Sequence, residues 1–170
     1  MAADASYQGE RNAARVIPFS TVGVLREKLI ELIQEPIEAV FHAAAVSDFA
    51  FGRIFSRSPE GKLTEIKASK ISTRLGPLMA ELQPTPKILA ELRHWFPKAR
   101  IAGWKYEVDG PREGVLSLSR KQMLESLTDA CVANGPGYGE GYGFITGDET
   151  AVHCQDQKEL FATLAKFGAG

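Results

Sequence analysis

What this chain of 170 residues lacks narrows it first. It has two cysteines, Cys131 and Cys154, and three histidines, His42, His94 and His153. Neither cysteine has a partner at metal-ligand spacing, so the pattern gives no structural metal site and no disulfide framework. Cys131 sits in an apolar run and reads as a small core residue. No apolar run is long enough to span a bilayer, and the first fifteen residues hold no signal-peptide core. A reducing cytoplasm is the expected compartment. Net charge is −1, which gives neither a basic surface for nucleic acid nor an acidic tail. Neither nucleic acid nor a membrane is therefore an expected partner. The chain also lacks a GxGxxG turn between a strand and a helix, which speaks against a nicotinamide-dependent reductase.

What is present fits an ordinary folded protein: 44% apolar and 24% charged residues, enough for one domain spanning 1–170. The chain is organised around residues 38–49, EAVFHAAAVSDF. A short apolar run closed by polar residues suits a strand buried on both faces, as in a parallel sheet covered by helices. A buried helix segment is the alternative, but the β-branched and aromatic start favours the strand. Asp48 would then stand just past the strand's carboxyl end, where open α/β sheets bind ligands. His42, inside the apolar run, reads as a core histidine, and His94 and His153 as exposed helix and strand residues.

The remaining elements follow in order. Residues 15–19, RVIPF, are a short strand candidate. Ser20 or Thr21 can cap a helix whose apolar face is Val22, Leu25, Leu29, Leu32 and Ile33, stopped by Pro36. Residues 50–64 read as an irregular loop or arm, and a turn is expected near Gly76 and Pro77. Residues 78–82 alternate as a strand. Thr85-Pro86 reads as a capping hydroxyl and first-turn proline for a helix buried through Ile88, Leu89, Leu92 and Trp95 or Phe96. Residues 100–104 are a strand. Residues 112–127 are a helix buried through Val115, Leu118, Met123, Leu124 and Leu127. Residues 130–133 are a buried strand closed by Asn134. The glycine-tyrosine stretch 135–143 reads as a flexible loop able to cover a pocket. A hairpin turns at Gly147-Asp148. Asp156 and Glu159 form an acidic capping box for a last helix buried through Leu160, Leu164 and Phe167. Strands alternating with helices predict an α/β fold, a Rossmann-like three-layer sandwich with a mostly parallel sheet.

Five motifs in order, HAAAVSDF, KASKIS, LQPTPKIL, IAGWKYE and DACVANG, make the chain resemble the phosphopantothenoylcysteine synthetase domain of the DNA/pantothenate metabolism flavoprotein family. The resemblance spans residues 16–167. It implies a phosphopantothenate–cysteine ligase of coenzyme A biosynthesis. CTP or ATP would activate the carboxylate of 4′-phosphopantothenate, and the amine of cysteine would then attack. It places Lys70 and Asp48 as catalytic residues and Ala44, Ala45, Asp48, Trp104 and Asn134 around the nucleotide, with Mg²⁺ accompanying the phosphates. No FMN is expected, because flavin belongs to the family's other half. A lysine on a loop can neutralise charge that develops on the α-phosphate.

The family's N-terminal strand, with its GGT-type turn and its SNxSSG-like loop, has no counterpart here, and Ser72 and Thr73 stand where the commonest bacterial form has lysines. The expectation is therefore a domain lacking its N-terminal nucleotide-binding unit, which a separate chain could supply. The alternative is a non-catalytic remnant or a dimerising, regulatory partner of the same family. The resemblance also implies a homodimer joined through residues 50–64 and the strand 78–82. Lys67 reads as a surface lysine. Trp104 and Tyr106 can stack on a base or fill the core.

Overall fold

The computed structural model describes residues 15–67, 70–147 and 151–170. By its contacts the chain divides into two compact units, Val46–Pro86 and the remainder.

In the larger unit, α1 (Val22–Glu31) starts at Thr21, whose hydroxyl accepts from the Val24 amide, as expected of a capping threonine. Strand β1 (Ala39–His42) follows. After the smaller unit come α2 (Ile88–Trp95), β5 (Arg100–Tyr106), α3 (Arg112–Ser126), β6 (Ala130–Asn134), β7 (Tyr142–Thr146), β8 (Val152–Cys154) and α4 (Gln157–Ala169), the numbers β2 to β4 belonging to the smaller unit. The five strands form one sheet in the order β1-β5-β6-β7-β8. β1, β5 and β6 are parallel, and β7 and β8 extend the sheet antiparallel.

Alternate side chains of a strand point to opposite faces, and this sheet is covered on both. Ala102, Ala130, Val132 and Phe144 pack with Leu160 and Leu164 of α4. Cys131, Ala133 and Ile145 pack with Val115, Leu116 and Met123 of α3, while Ile101 joins Ile88, Leu92 and Trp95 of α2. β6 is thus apolar at consecutive positions because both its faces are inside. The expected α/β, Rossmann-like architecture is borne out. At α4, Asp156 accepts from the Glu159 amide at 2.9 Å, the cap read from the sequence, while Glu159 Oε2 accepts at 2.8 Å from the Gln155 amide, one residue before the cap.

The smaller unit holds β2 (Phe49–Arg57), β3 (Leu63–Glu65) and β4 (Leu78–Pro84), an antiparallel sheet in the order β3-β2-β4. It corrects the expected irregular loop at 50–64: the segment is a hairpin, closed where the Ser58 amide donates to the Lys62 carbonyl. Glycine, proline and charge at 58–62 mark the turn; the flanking aromatic and β-branched residues form strands.

Other expectations are corrected too. The stretch 38–49 is not a long strand buried on both faces. β1 ends at His42, half-buried, at one end of the sheet among the described residues, and Phe41 is 42% exposed. The small residues 43–47 continue without a ladder. Residues 15–19 form no strand. Thr85 does not cap α2. Its hydroxyl donates to the Ser47 carbonyl at 2.5 Å, its amide donates to the Asp48 carbonyl at 2.9 Å, and the helix begins at Ile88. In α3 the buried positions are Val115, Leu116, Ser119, Met123 and Ser126, while Leu118, Leu124 and Leu127 are exposed. Ser119 is accommodated because its hydroxyl donates to the Val115 carbonyl. Within the KASKIS motif, Ala68 and Ser69 lie outside the described residues, as do Asp148 and Thr150 of the final hairpin.

Candidate functional site

β5 and β6 run parallel and end side by side, with Tyr106 paired to Asn134. Beyond them lies an open groove of about 660 Å³. It is lined by Tyr106 and Asn134 from the strand ends, by Glu140, Gly141 and Tyr142 from the loop and β7, and by Gln155 to Gln157 at the start of α4. All of these belong to the larger unit. The carboxyl ends of parallel strands are where this class of sheet binds ligands.

Asn134 is the most informative lining residue. Its Oδ1 is buried and has no hydrogen-bond partner. A buried acceptor left unpaired costs about 1–3 kcal/mol, so turning Oδ1 out toward a donor in the groove would recover that cost. Among the described residues, no lysine or arginine lines the groove. Its aromatic, amide and carboxylate groups suit a flat or hydroxylated group bearing donors rather than a phosphate.

The loop 135–143 corrects the expectation of a flexible segment. Tyr138 is 3% exposed. The Gly137 amide donates to the Glu107 carbonyl and the Glu107 amide to the Asn134 carbonyl, each at 3.0 Å. Gly135 adopts φ +106°, and a Cβ there would collide with the Glu107 carbonyl oxygen. The loop can lie this close to the end of β5 because that position is glycine.

The residues singled out from the sequence fall into two groups. Asn134 lines the groove. Trp104 is half-buried and packs with the cluster under α4. Ala44 is half-buried and Ala45 exposed, in the segment after β1. Asp48 and Lys70 belong to the Val46–Pro86 unit; both are exposed and no ion pair joins them. Asp48 does not sit just past β1. It lies six residues beyond, directly before β2.

Lys105 and Glu107 lie at the end of β5, an interior strand, and pair with each other at 2.8 Å. Gln155 and Gln157 were missed by sequence reading, while Tyr142 falls in the stretch 135–143 read as able to cover a pocket. The two glutamines line the groove only because β7 and α4 return beside β6, a long-range placement with no local signal. Burial pushes the Cys131 thiol up to about 12, so it is no nucleophile at neutral pH. Cys154 is buried as well. Among the described residues, no three His, Cys, Asp or Glu side chains come together to hold a metal, and no helix is long and apolar enough to cross a membrane. A Mg²⁺ carried by nucleotide phosphates needs only one or two protein carboxylates, and no step is assigned to it.

No family model matches the chain. In sequence it is 32% identical, over 113 residues, to the coenzyme A biosynthesis bifunctional protein CoaBC of Thermococcus kodakarensis. The match covers 64% of this chain and 25% of that protein, so the chain spans about a quarter of its curated relative. In structure it resembles the DNA/pantothenate metabolism flavoprotein of Streptococcus pneumoniae, with a TM-score of 0.70 at 19% identity, covering 88% of this chain and 71% of that one. The C-terminal domain of a CoaBC protein gives a TM-score of 0.60 at 17% identity, over 89% and 63% of the two chains. A Cab2 variant in complex with phosphopantothenate-cysteine gives 0.57 at 20% identity, over 90% and 53%. The resemblance read from the five motifs is therefore borne out: the chain is a relative of the coenzyme A biosynthesis bifunctional protein and has the fold of the DNA/pantothenate metabolism flavoprotein.

Proposed function

We propose that the chain is a phosphopantothenate–cysteine ligase-type protein of coenzyme A biosynthesis, whose groove at the ends of β5 and β6 receives the base or ribose of CTP or ATP. The observation that carries this is the unpartnered, buried Asn134 Oδ1 at the carboxyl edge of parallel strands, in a chain whose sequence relative is CoaBC. The nucleotide's activated phosphate would accept the pantothenate carboxylate, pyrophosphate would leave, and the amine of cysteine would displace the nucleotide. Lys70 is assigned to neutralising phosphate charge. Asp48 is assigned to the ribose or to a metal-bound water. Ala44 and Ala45 are assigned to close approach of the nucleotide, and Trp104 to packing beside its base. Mg²⁺ is proposed to arrive with the nucleotide.

Binding and chemistry are tested separately. A ligand selective for the native state raises the melting temperature, by an amount equivalent to about 2.7 kcal/mol at a hundred times its Kd. CTP or ATP at millimolar concentration is expected to raise it, and Asn134→Ala to reduce the rise; no shift with either nucleotide removes the proposal. Pyrophosphate release and product mass, with 4′-phosphopantothenate and cysteine added, then distinguish a ligase from a nucleotide-binding remnant.

The Val46–Pro86 unit supports the homodimer. Cross-strand partners share a sheet face. Phe49 opposite Pro84, Phe51 opposite Leu82 and Ile54 opposite Ala80 therefore place an apolar row on one face, where Phe51 is 79% and Leu82 57% exposed. A contiguous exposed apolar face of this kind marks an interaction surface. Among the described residues, the strand β1 is hydrogen-bonded only to β5. Its outer edge is where a strand from a separate chain would pair, if such a chain supplies the unit not matched here. Sedimentation at micromolar concentration checks the dimer; a monomer would contradict it.

A further inference from the structure

We propose that Arg112, Tyr138 and His153 form a proton-sensitive latch that holds the loop 135–143 as a wall of the groove. Arg112 opens α3, Tyr138 is the buried residue of the loop, and His153 lies on β8. Arg112 Nη2 donates to Tyr138 Oη at 2.7 Å and to His153 Nδ1 at 2.6 Å. Tyr138 Oη also lies 3.0 Å from His153 Nδ1. The guanidinium stands 4.2 Å from the centre of the Tyr138 ring, a stacking that a planar cation favours. One atom of one arginine thus ties the loop to the sheet.

The chemistry fixes the protonation state. Arginine has only donors, so His153 Nδ1 must accept, and the ring proton resides on Nε2. The ring is therefore neutral when the latch is closed. A second proton, at Nδ1, removes the acceptor and sets an imidazolium against a guanidinium at hydrogen-bond distance, where like charges repel.

The surroundings offer no compensation. α3 presents Arg112 to the ring and the loop presents Tyr138, while β7 places Gly143 opposite it in the ladder. Among the described residues, no carboxylate pairs with Arg112 or His153. The loop also feels the ring directly. Gly141 has φ +77°, and a Cβ there would come within 2.6 Å of the His153 ring, so the ring rests on bare backbone beside Glu140 and Tyr142 in the groove wall. The sign follows from the bonds: the latched geometry needs Nδ1 as a bare acceptor, so added protons oppose it.

The test needs no nucleotide, so it stands or fails apart from the proposed ligand. Amide hydrogen exchange is followed on the whole chain at pH 8 and pH 5.5, corrected for intrinsic rates. Protection across residues 136–141 is expected to fall by about tenfold at the lower pH, while Ala130–Asn134 stays protected. His153→Gln keeps an acceptor oxygen and cannot ionise; it is expected to hold the loop equally at both pH values. Equal loop protection in the unmodified chain at the two pH values overturns the proposal, as does a pH dependence that survives in His153→Gln. Should that variant fail to fold, imidazole nitrogen shifts of the unmodified chain at pH 8 decide. The Nε2–H tautomer supports the latch, and an Nδ1–H tautomer overturns it.

Discussion

The two sheets of this chain cover their apolar faces in opposite ways. In the larger unit, Ile101, Ala102 and Ala130 to Ala133 are inaccessible to solvent because helices pack on either side. In Val46–Pro86 no described residue is fully buried. One face of its sheet is mixed, with Arg53 Nε donating to Glu81 at 3.0 Å beside Phe55 and Met79. The other carries Phe49, Phe51 and Leu82 in the open. A three-stranded sheet needs a hydrophobic face packed on something to be stable on its own. The first unit holds a core of its own; the second presents a surface that a partner would complete.

The comparison breaks most visibly under truncation of large apolar residues. Leu92→Ala, at a position fully buried under α1 and β5, is expected to cost about 2–5 kcal/mol in denaturant unfolding. Phe51→Ser, at a larger side chain, should change unfolding of the dissociated chain by less than about 0.5 kcal/mol while weakening self-association. A large loss of stability from Phe51→Ser under dissociating conditions would show that the smaller unit buries that face within its own chain.

Arg93→Ala comes next. Arg93 donates to the carbonyls of Leu127 at 3.0 Å, Pro97 at 3.3 Å and Ala99 at 2.8 Å, and to Asp129 Oδ2 at 2.6 Å. The same carboxylate oxygen accepts from the Ile101 amide at 2.7 Å. One side chain thus joins the ends of α2 and α3 to the start of β5. Losing it is expected to cost about 1–2 kcal/mol, since the part-buried Ala99 carbonyl and three more exposed acceptors lose one shared donor together. Nothing comparable is expected at Arg53, which is exposed beside Glu81.

Sequence patterns found most of the larger unit and little of the smaller one, and the contrast explains why. A helix that packs on a core must show its periodicity, as α1, α2 and α4 do, and a strand buried on both faces reads as an unbroken apolar run, as β6 does. β2 has aromatics at alternate positions, but Gly52, Arg53 and Ser56 interrupt them, and a bulge between Phe51 and Ile54 shifts the alternation. The site was legible in the same uneven way. Asn134 could be found because it closes an apolar strand. Gln155 and Gln157 could not, because only tertiary structure brings them to it. In α3, Leu118, Leu124 and Leu127 misled because leucine is a good helix former whether or not its face is covered.

Leu127 itself offers a smaller effect of opposite sign. It ends α3 with φ +53°, the one described non-glycine residue in left-handed geometry, and it is 64% exposed. A side chain there costs about 1–2 kcal/mol of backbone energy and returns little burial. Leu127→Gly is expected to stabilise the larger unit by about 1 kcal/mol, less the entropy a glycine adds to the unfolded chain. A destabilised variant would mean that the leucine side chain is covered by something outside the chain.

The smallest expected effect concerns pH, and it too separates the units, since Val46–Pro86 contains no histidine. His42 lies on β1, and burial holds its pKa below the ordinary histidine value. Between the lowered folded pKa and the unfolded one, the unfolded chain carries more protons, so stability rises with pH in that window. The contribution is fully present above the unfolded value, about 6.5, and is lost as pH falls below it. His42→Phe keeps an aromatic ring that cannot ionise. It should therefore flatten part of the decline in stability between pH 7.5 and pH 5.5, while leaving the exchange behaviour of the 135–143 loop unchanged. If His42→Phe and the unmodified chain decline in parallel, His42 is protonated in the fold, and burial on β1 is too shallow to exclude its charge.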